Sequence, residues 1–247
     1  MKKNEIILGL HAVLALLTHH PKKIRRLAIA KERHDQKIKS LLMLANELSL
    51  PIQMLSRAEL DTLSQGENHQ GVLAFCEASQ TYSESDLETL LANLTQPPLL
   101  LILDGIQDPH NLGACLRSAD AAGVHAVIAP RDKSVGLTTT VCKVASGAAE
   151  TVPFIQVTNL VRTLEKLKKH NIWIFGGALP GDKNLYEADL TIPLAIVMGA
   201  EGKGLRRLTK EHCDLLLTIP MKGTVASLNV SVATGIFLFE AIRQRIG

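Results

Sequence analysis

The sequence predicts an α/β protein in two parts, a small N-terminal α/β domain over 1–76 and a C-terminal parallel-sheet domain over 99–247, joined by a linker over 77–98. Three observations predict it. Short apolar runs alternate with helical patterns along both parts, the order that lays strands under helices. In the C-terminal part the runs are apolar at consecutive positions, as strands buried on both faces require. The chain is 46% hydrophobic but only 3% aromatic, so its cores are built from Leu, Ile, Val and Ala.

In the first part the apolar runs 6–8, 24–30, 52–55 and 72–75 are strand candidates. Between them lie a helical pattern over 12–17 and a helix marked by Ile38, Leu41, Leu42, Ala45 and Leu48. Ser56-Arg57-Ala58-Glu59 has the spacing of a capping box and announces another helix. Over 77–98 Ser, Thr, Glu and Gln dominate and Pro97-Pro98 closes the stretch, which reads as a linker with a short helix near 86–94. Beyond it, 99–103, 126–129, 172–175 and 194–198 are strand candidates, with helices over 112–122, 160–169 and 230–245. Gly123 follows the first of these helices as a C-cap.

Charge separates the two parts. Residues 1–39 hold ten Lys or Arg against three Asp or Glu, a net of +7, so the remaining chain carries −4 of the total +3. A basic end fits a polyanionic partner, and it also fits a solvated helix face. Cys76, Cys115, Cys142 and Cys213 are widely spaced, with no C-x-x-C pair and no nearby His at metal-ligand spacing, and read as core thiols of a cytoplasmic protein that holds no metal. The start, Met1-Lys2-Lys3, leads into a stretch carrying Asn4, Glu5 and His11, which argues against a signal peptide. No run approaches the roughly 18 apolar residues of a membrane span, so no membrane partner is expected.

In parallel sheets ligands bind beyond the C-terminal ends of the strands, which directs attention to three loops. The first, 104–113, is polar and runs into a helix of small and apolar residues; Asn111 is placed as its N-cap. Arg117 is the odd member of that helix. It either pairs with Asp120 at i+3 or aims its fork of donors at a phosphate or substrate. The second loop, Gly199-Ala200-Glu201-Gly202-Lys203-Gly204, allows positive φ and close backbone approach. It is neither the dinucleotide fingerprint G-x-G-x-x-G nor a Walker A loop, and serves equally as a tight strand-to-helix turn. The third, 219–229, ends at Ser227-Leu228-Asn229, where Ser227 and Asn229 are placed both to cap the last helix and to face a ligand at its N-terminus.

Together these segments resemble the SpoU (TrmH-like) branch of the SPOUT RNA methyltransferases. The resemblance rests on Asn111 to Arg117 as Asn-x-Gly-x-x-x-Arg, on Val197-Met198-Gly199-Ala200-Glu201-Gly202, and on Ile219-Pro220-Met221 through Ser227-Leu228-Asn229-Val230. Three ordered motifs are far more specific than any one. Gly9-Leu10-His11-Ala12-Val13 and Asn68-His69-Gln70-Gly71-Val72 extend it to the members that methylate a guanosine of 23S ribosomal RNA.

The resemblance implies an L30e-like RNA-binding domain followed by a SPOUT domain with a deep trefoil knot, assembled as a homodimer. It implies S-adenosyl-L-methionine as cofactor and a ribose 2'-hydroxyl of 23S rRNA, in the peptidyl-transferase P loop, as acceptor. Gly199, Ile219 and Leu228 would line the cofactor site, while Asn111, Arg117, Glu201, Ser227 and Asn229 surround the transferring methyl group. Arg117 is the family's proposed catalytic residue; since a guanidinium stays protonated in proteins, an orienting and charge-stabilising role is expected. Glu201 is expected to anchor Arg117 or Asn111, or to tie down its own loop. Action on transfer RNA, and a non-catalytic rRNA-binding assembly factor, are the alternatives; a nicotinamide oxidoreductase is disfavoured by the absent fingerprint.

Overall fold

The computed structural model describes residues 4–19, 21–77 and 82–246. Met1 to Lys3 and residues 78–81 of the expected linker lie outside them. The chain divides into two compact units, Met1–Gln80 and Thr81–Gly247.

The first unit runs β1 (Asn4–Leu8), α1 (Leu10–His19), β2 (Ile24–Ala30), α2 (Gln36–Glu47), β3 (Ile52–Leu55), α3 (Arg57–Leu63) and β4 (Val72–Glu77). Its sheet has the order β1-β4-β2-β3, with β4 antiparallel to both neighbours and β3 parallel to β2. Apolar side chains alternate between two cores along the strands, as period-two geometry demands. Leu27 and Ile29 of β2 pack under α1 and α2 with Val13, Ile38 and Leu41, whereas Ala28 and Ala30 pack with Leu60 of α3. The capping box forms: the Ser56 backbone N–H donates to Glu59 Oε2 at 2.7 Å and the Glu59 N–H to Ser56 Oγ at 3.4 Å.

The second unit begins with α4 (Glu84–Ala92), inside the stretch assigned above to a linker, and α4 buries Leu87 in one of the unit's two cores. There follow β5 (Leu99–Asp104), α5 (Pro109–Ala121), β6 (Ala126–Pro130), α6 (Thr139–Ala145), α7 (Ala148–Thr151), β7 (Phe154–Val157), α8 (Leu160–Lys169) and β8 (Trp173–Gly177). The chain ends with β9 (Lys183–Asn184), β10 (Leu194–Gly199), α9 (Arg207–Glu211), β11 (Leu215–Thr218) and α10 (Val230–Ile246). The strands form one parallel sheet in the order β7-β6-β5-β10-β8-β11-β9.

Every residue of β5 and β10 is buried, because helices cover both faces. Leu99, Leu101 and Leu103 point into the core beneath α5, α6, α7 and α10, and Leu100 and Ile102 into the core beneath α4 and α8. Burial pushes the Cys115 thiol up to about 11 and the Cys213 thiol up to about 12, so both stay protonated.

The last turn of α10 is fastened to the rest of the unit by polar side chains. Arg245 donates to the carbonyls of Leu190, Pro97, Pro98 and Ile192, which lie just before β5 and β10. Gln244 accepts from the Leu190 N–H at 2.8 Å and donates to Glu240 Oε1 at 2.8 Å. Glu240 is 7% exposed and receives both arms of Arg243 at 2.8 Å. That guanidinium, helped by Gln244, holds the Glu240 carboxyl down to about 2. A folded-state pKa lowered from about 4.5 contributes stability that is complete above that value and lost as pH falls toward 2. Glu240→Gln should therefore be less stable than the wild type above pH 4.5, with the two converging toward pH 2 in thermal unfolding; parallel curves would contradict this role.

Candidate active site

Because β5 and β10 run parallel, with Gly199 opposite Asp104, the first and second loops leave the sheet side by side. They are pinned at their roots. Asp104 is 1% exposed at the end of β5, and its carboxylate accepts the backbone N–H of Arg206 at 2.9 Å and pairs with the Arg206 guanidinium. Sequence reasoning missed this pair; a carboxylate closing an otherwise apolar strand was the available signal.

Helix α5 starts earlier than the sequence indicates. Asp108, not Asn111, is the N-cap: its carboxylate accepts from the His110 N–H at 2.9 Å, with Pro109 at the first helical position. Asn111 is thereby released for long-range work, and it is 9% exposed. Its amide donates to Glu201 Oε2 at 3.2 Å and its Oδ1 accepts from Asn229 Nδ2 at 3.0 Å. Asn229 also donates to Glu201 Oε2, at 3.4 Å. One carboxylate oxygen thus holds an amide from each of the other two loops. Of the three roles open to Glu201, the contacts are those of an anchor for Asn111, with Asn229 added.

Asn229 does cap α10, its Oδ1 accepting from the Ser231 N–H at 2.9 Å and hydroxyl at 2.7 Å. Ser227 does not cap; it is exposed and makes no hydrogen bond among the described residues.

Beside this cluster opens a cleft of about 380 Å³ at the C-terminal ends of β8, β10 and β11. Gly199, Ile219 and Leu228 line it, together with Glu201 and Ser227. Leu179, Met198 and Phe237 also line it and were not singled out from sequence, although the glycines ending β8 marked another strand-end loop. A volume of this size falls within the usual range for small-molecule sites, and its glycine-rich, apolar wall suits a nucleoside approached through backbone.

The glycines of the second loop serve packing as well. A Cβ on Gly199 would sit 2.1 Å from the Gly204 carbonyl carbon, because the loop folds back to bridge Ala200 with Gly204. Gly113, in the first motif, lets α5 meet α6, where a Cβ would lie 2.6 Å from Val144 Cβ.

Arg117 stands apart. It does not pair with Asp120, which accepts from Thr151 instead, and it is exposed with no partner among the described residues. Six residues after Asn111, it sits about 240° further around the helix. It does not line the cleft; a shallow apolar groove of Ala114, Ser118, Val232, Gly235 and Phe239 lies between α5 and α10.

Comparison with known proteins matches residues 98–239 to the SpoU rRNA Methylase family and residues 6–82 to the RNA 2'-O ribose methyltransferase substrate-binding family. Over 245 residues, 99% of either chain, the protein is 57% identical to the 23S rRNA (guanosine-2'-O-)-methyltransferase RlmB of Shewanella oneidensis. The SpoU methyltransferase AviRb of Streptomyces viridochromogenes, solved with AdoMet, shares the fold at a TM-score of 0.79 and 22% identity, covering 98% of this chain and 91% of that one. The TrmH/SpoU tRNA-modifying enzyme of A. aeolicus is 33% identical with a TM-score of 0.57, over 66% of this chain and 84% of that one.

The glycine contacts make a graded prediction. Gly199→Ala should cost about 2–3 kcal/mol through overpacking against backbone. Gly202→Ala, which meets nothing within 4 Å and is strained only by its φ of 73°, should cost about 1 kcal/mol. Urea unfolding of the two variants measures the difference, and equal losses would dismiss the steric role of Gly199.

Proposed function

This chain belongs to the SpoU rRNA methylase family, and on that premise we propose that it transfers a methyl group from S-adenosyl-L-methionine to the ribose 2'-hydroxyl of a guanosine in 23S ribosomal RNA. The observation that carries the reading is the hydrogen-bonded Asn111–Glu201–Asn229 cluster, which joins three motif loops at the mouth of the cleft lined by Gly199, Ile219 and Leu228. Relatives named for guanosine 2'-O-methylation of 23S rRNA match both units, whereas the tRNA-modifying enzyme matches 66% of this chain. This favours ribosomal over transfer RNA, and a guanosine of the peptidyl-transferase P loop is the proposed target.

When bound, S-adenosyl-L-methionine supplies an electrophilic methyl group on a sulfonium. The chain's part is to hold the acceptor oxygen in line and to stabilise it as its proton passes, by way of the adjacent RNA phosphate, to solvent; positioning alone is worth several kcal/mol. Gly199, Ile219 and Leu228 bind the cofactor through backbone and apolar contacts. Glu201 fixes Asn111 and Asn229 so that their remaining donor and acceptor positions meet the ribose, with Ser227 as a free hydroxyl beside them. Arg117 orients the ribose and its phosphate and stabilises the developing alkoxide.

Since Arg117 is exposed on α5 and does not line the cleft of its own chain, the proposal includes a homodimer in which the α5–α10 groove is covered and Arg117 completes the partner's site. Val232 and Phe239, 52% and 50% exposed, supply apolar area for such a contact. The reading also includes an L30e-like first unit that binds RNA, a trefoil knot in the second, and action in the cytoplasm.

The direct test maps 2'-O-methyl groups in RNA from a deletion strain. One large-subunit guanosine should lose its methyl group and regain it with the wild-type gene but not with Arg117→Lys, which keeps the charge and loses the fork. An unchanged large-subunit rRNA overturns the substrate, and full rescue by Arg117→Lys overturns the orienting role. Glu201→Gln should bind S-adenosyl-L-methionine within about threefold of wild type by calorimetry while turnover falls at least tenfold; lost binding with normal chemistry would assign Glu201 to its own loop instead.

A further inference from the structure

The loop after β6 enters none of the roles above, yet it lies at the same edge of the sheet. In strand order β6, β5, β10, it flanks the first loop on the side away from the cleft. It is joined to that loop by the Val135 N–H donating to the Ile106 carbonyl at 2.9 Å, and the Lys133 carbonyl lies 3.8 Å from where a Cβ on Gly105 would stand.

Three features of this loop point to an anion. Arg131 and Lys133 are exposed, and neither side chain has a hydrogen bond or ion pair among the described residues; Asp132 between them is exposed and equally unpaired. Lys133 holds φ at 60°, a left-handed conformation that a lysine rarely adopts. Ser134 Oγ is buried with no partner, the one such side-chain atom among the described residues. Buried hydroxyls are normally satisfied, and an orphan covered by its own loop gains a partner when a small shift of that loop opens it to a ligand. Two unpaired cations and an unsatisfied hydroxyl within residues 131–134 form a donor set suited to a phosphate.

We propose that Arg131, Lys133 and Ser134 bind a backbone phosphate of the substrate RNA next to the nucleotide being methylated. The inference rests on the rRNA reading above and extends it. Adjacent strands are about 4.8 Å apart, so an RNA strand whose ribose is addressed at the first loop passes over the end of β6 within a nucleotide or two. The site carries no base information: it positions the chain, and its contribution is electrostatic and salt-dependent.

The test measures binding of a 23S rRNA fragment containing the target against salt concentration, together with methylation kinetics and calorimetry with S-adenosyl-L-methionine. Arg131→Ala and Lys133→Ala should each lower the log–log salt slope by about one. The double variant should raise KM for RNA about tenfold while kcat and cofactor affinity stay within about twofold. Ser134→Ala should raise KM with no change in salt slope, and Arg131→Lys should restore the slope. Lys169→Ala is the control, an exposed cation at the end of α8 beside the opposite edge of the sheet; its slope should equal that of the wild type. Unchanged KM and slope in the double variant overturn the proposal, as does an equal loss with Lys169→Ala, which would mean diffuse attraction. A wild-type protein that fails to methylate the fragment would refute the rRNA reading itself, a result separable from the variants.

Discussion

The parallel pairing of β5 with β10, residue by residue from Leu99 opposite Leu194 to Asp104 opposite Gly199, is the constraint from which the site follows. Parallel alignment sends both strands out at one edge, so two loops far apart in sequence emerge as neighbours. The buried Asp104 carboxylate then ties the exit of the second loop to the root of the first through Arg206. Removing water from such a carboxylate is costly unless its oxygens are bonded. Here both oxygens have partners, so the ion pair fixes the geometry instead of weakening the fold.

Above that root the three motif loops are organised by a second carboxylate. Glu201 Oε2 takes amide hydrogens from Asn111 and Asn229, and Asn229 caps the helix that closes the cleft. Charged acceptors make the stronger hydrogen bonds, and sharing one oxygen couples the loops so that displacing one disturbs the others. The glycines act in the same direction. Gly199 and Gly113 are places where backbone or helix comes too close for any side chain, so the motif spacing records packing as much as ligand contact.

The two helices α5 and α10 face two ways. Their buried sides fill the core with Leu112, Leu116, Phe237 and Leu238, while Asn111 bonds to Glu201 and Asn229 and the first turn of α10 lines the cleft. Their outer sides carry Arg117, Val232 and Phe239, exposed in the single chain. An arginine on the outer side, with no partner among the described residues, is the physical reason for the proposal that it serves a site shared between two copies. It also explains why a surface ion pair with Asp120 was an inadequate account of it.

Much of this was legible in the sequence. The runs 99–103 and 194–198, apolar at every position, could only be strands buried on both faces, and the Ser56–Glu59 box fixed the start of α3 because capping is local chemistry. The resemblance carried by the three ordered motifs likewise pointed to the family and implied a ligand site at Gly199, Ile219 and Leu228, which line the cleft. What only the tertiary structure decided were the long-range pairs. Asp108 took the cap that Asn111 was expected to fill, a start that Asp108-Pro109 signals locally, and Asn111 turned to Glu201 and Asn229, partners that nothing within a few residues indicates. The sequence marks Asp104 as a carboxylate closing an apolar strand but does not point to Arg206, and the carbonyl clamp of Arg245 and the outward face of Arg117 are silent in it. Periodicity and capping depend on neighbours along the chain, whereas these contacts depend on which strand ends meet at one edge, and that is settled by the folded sheet.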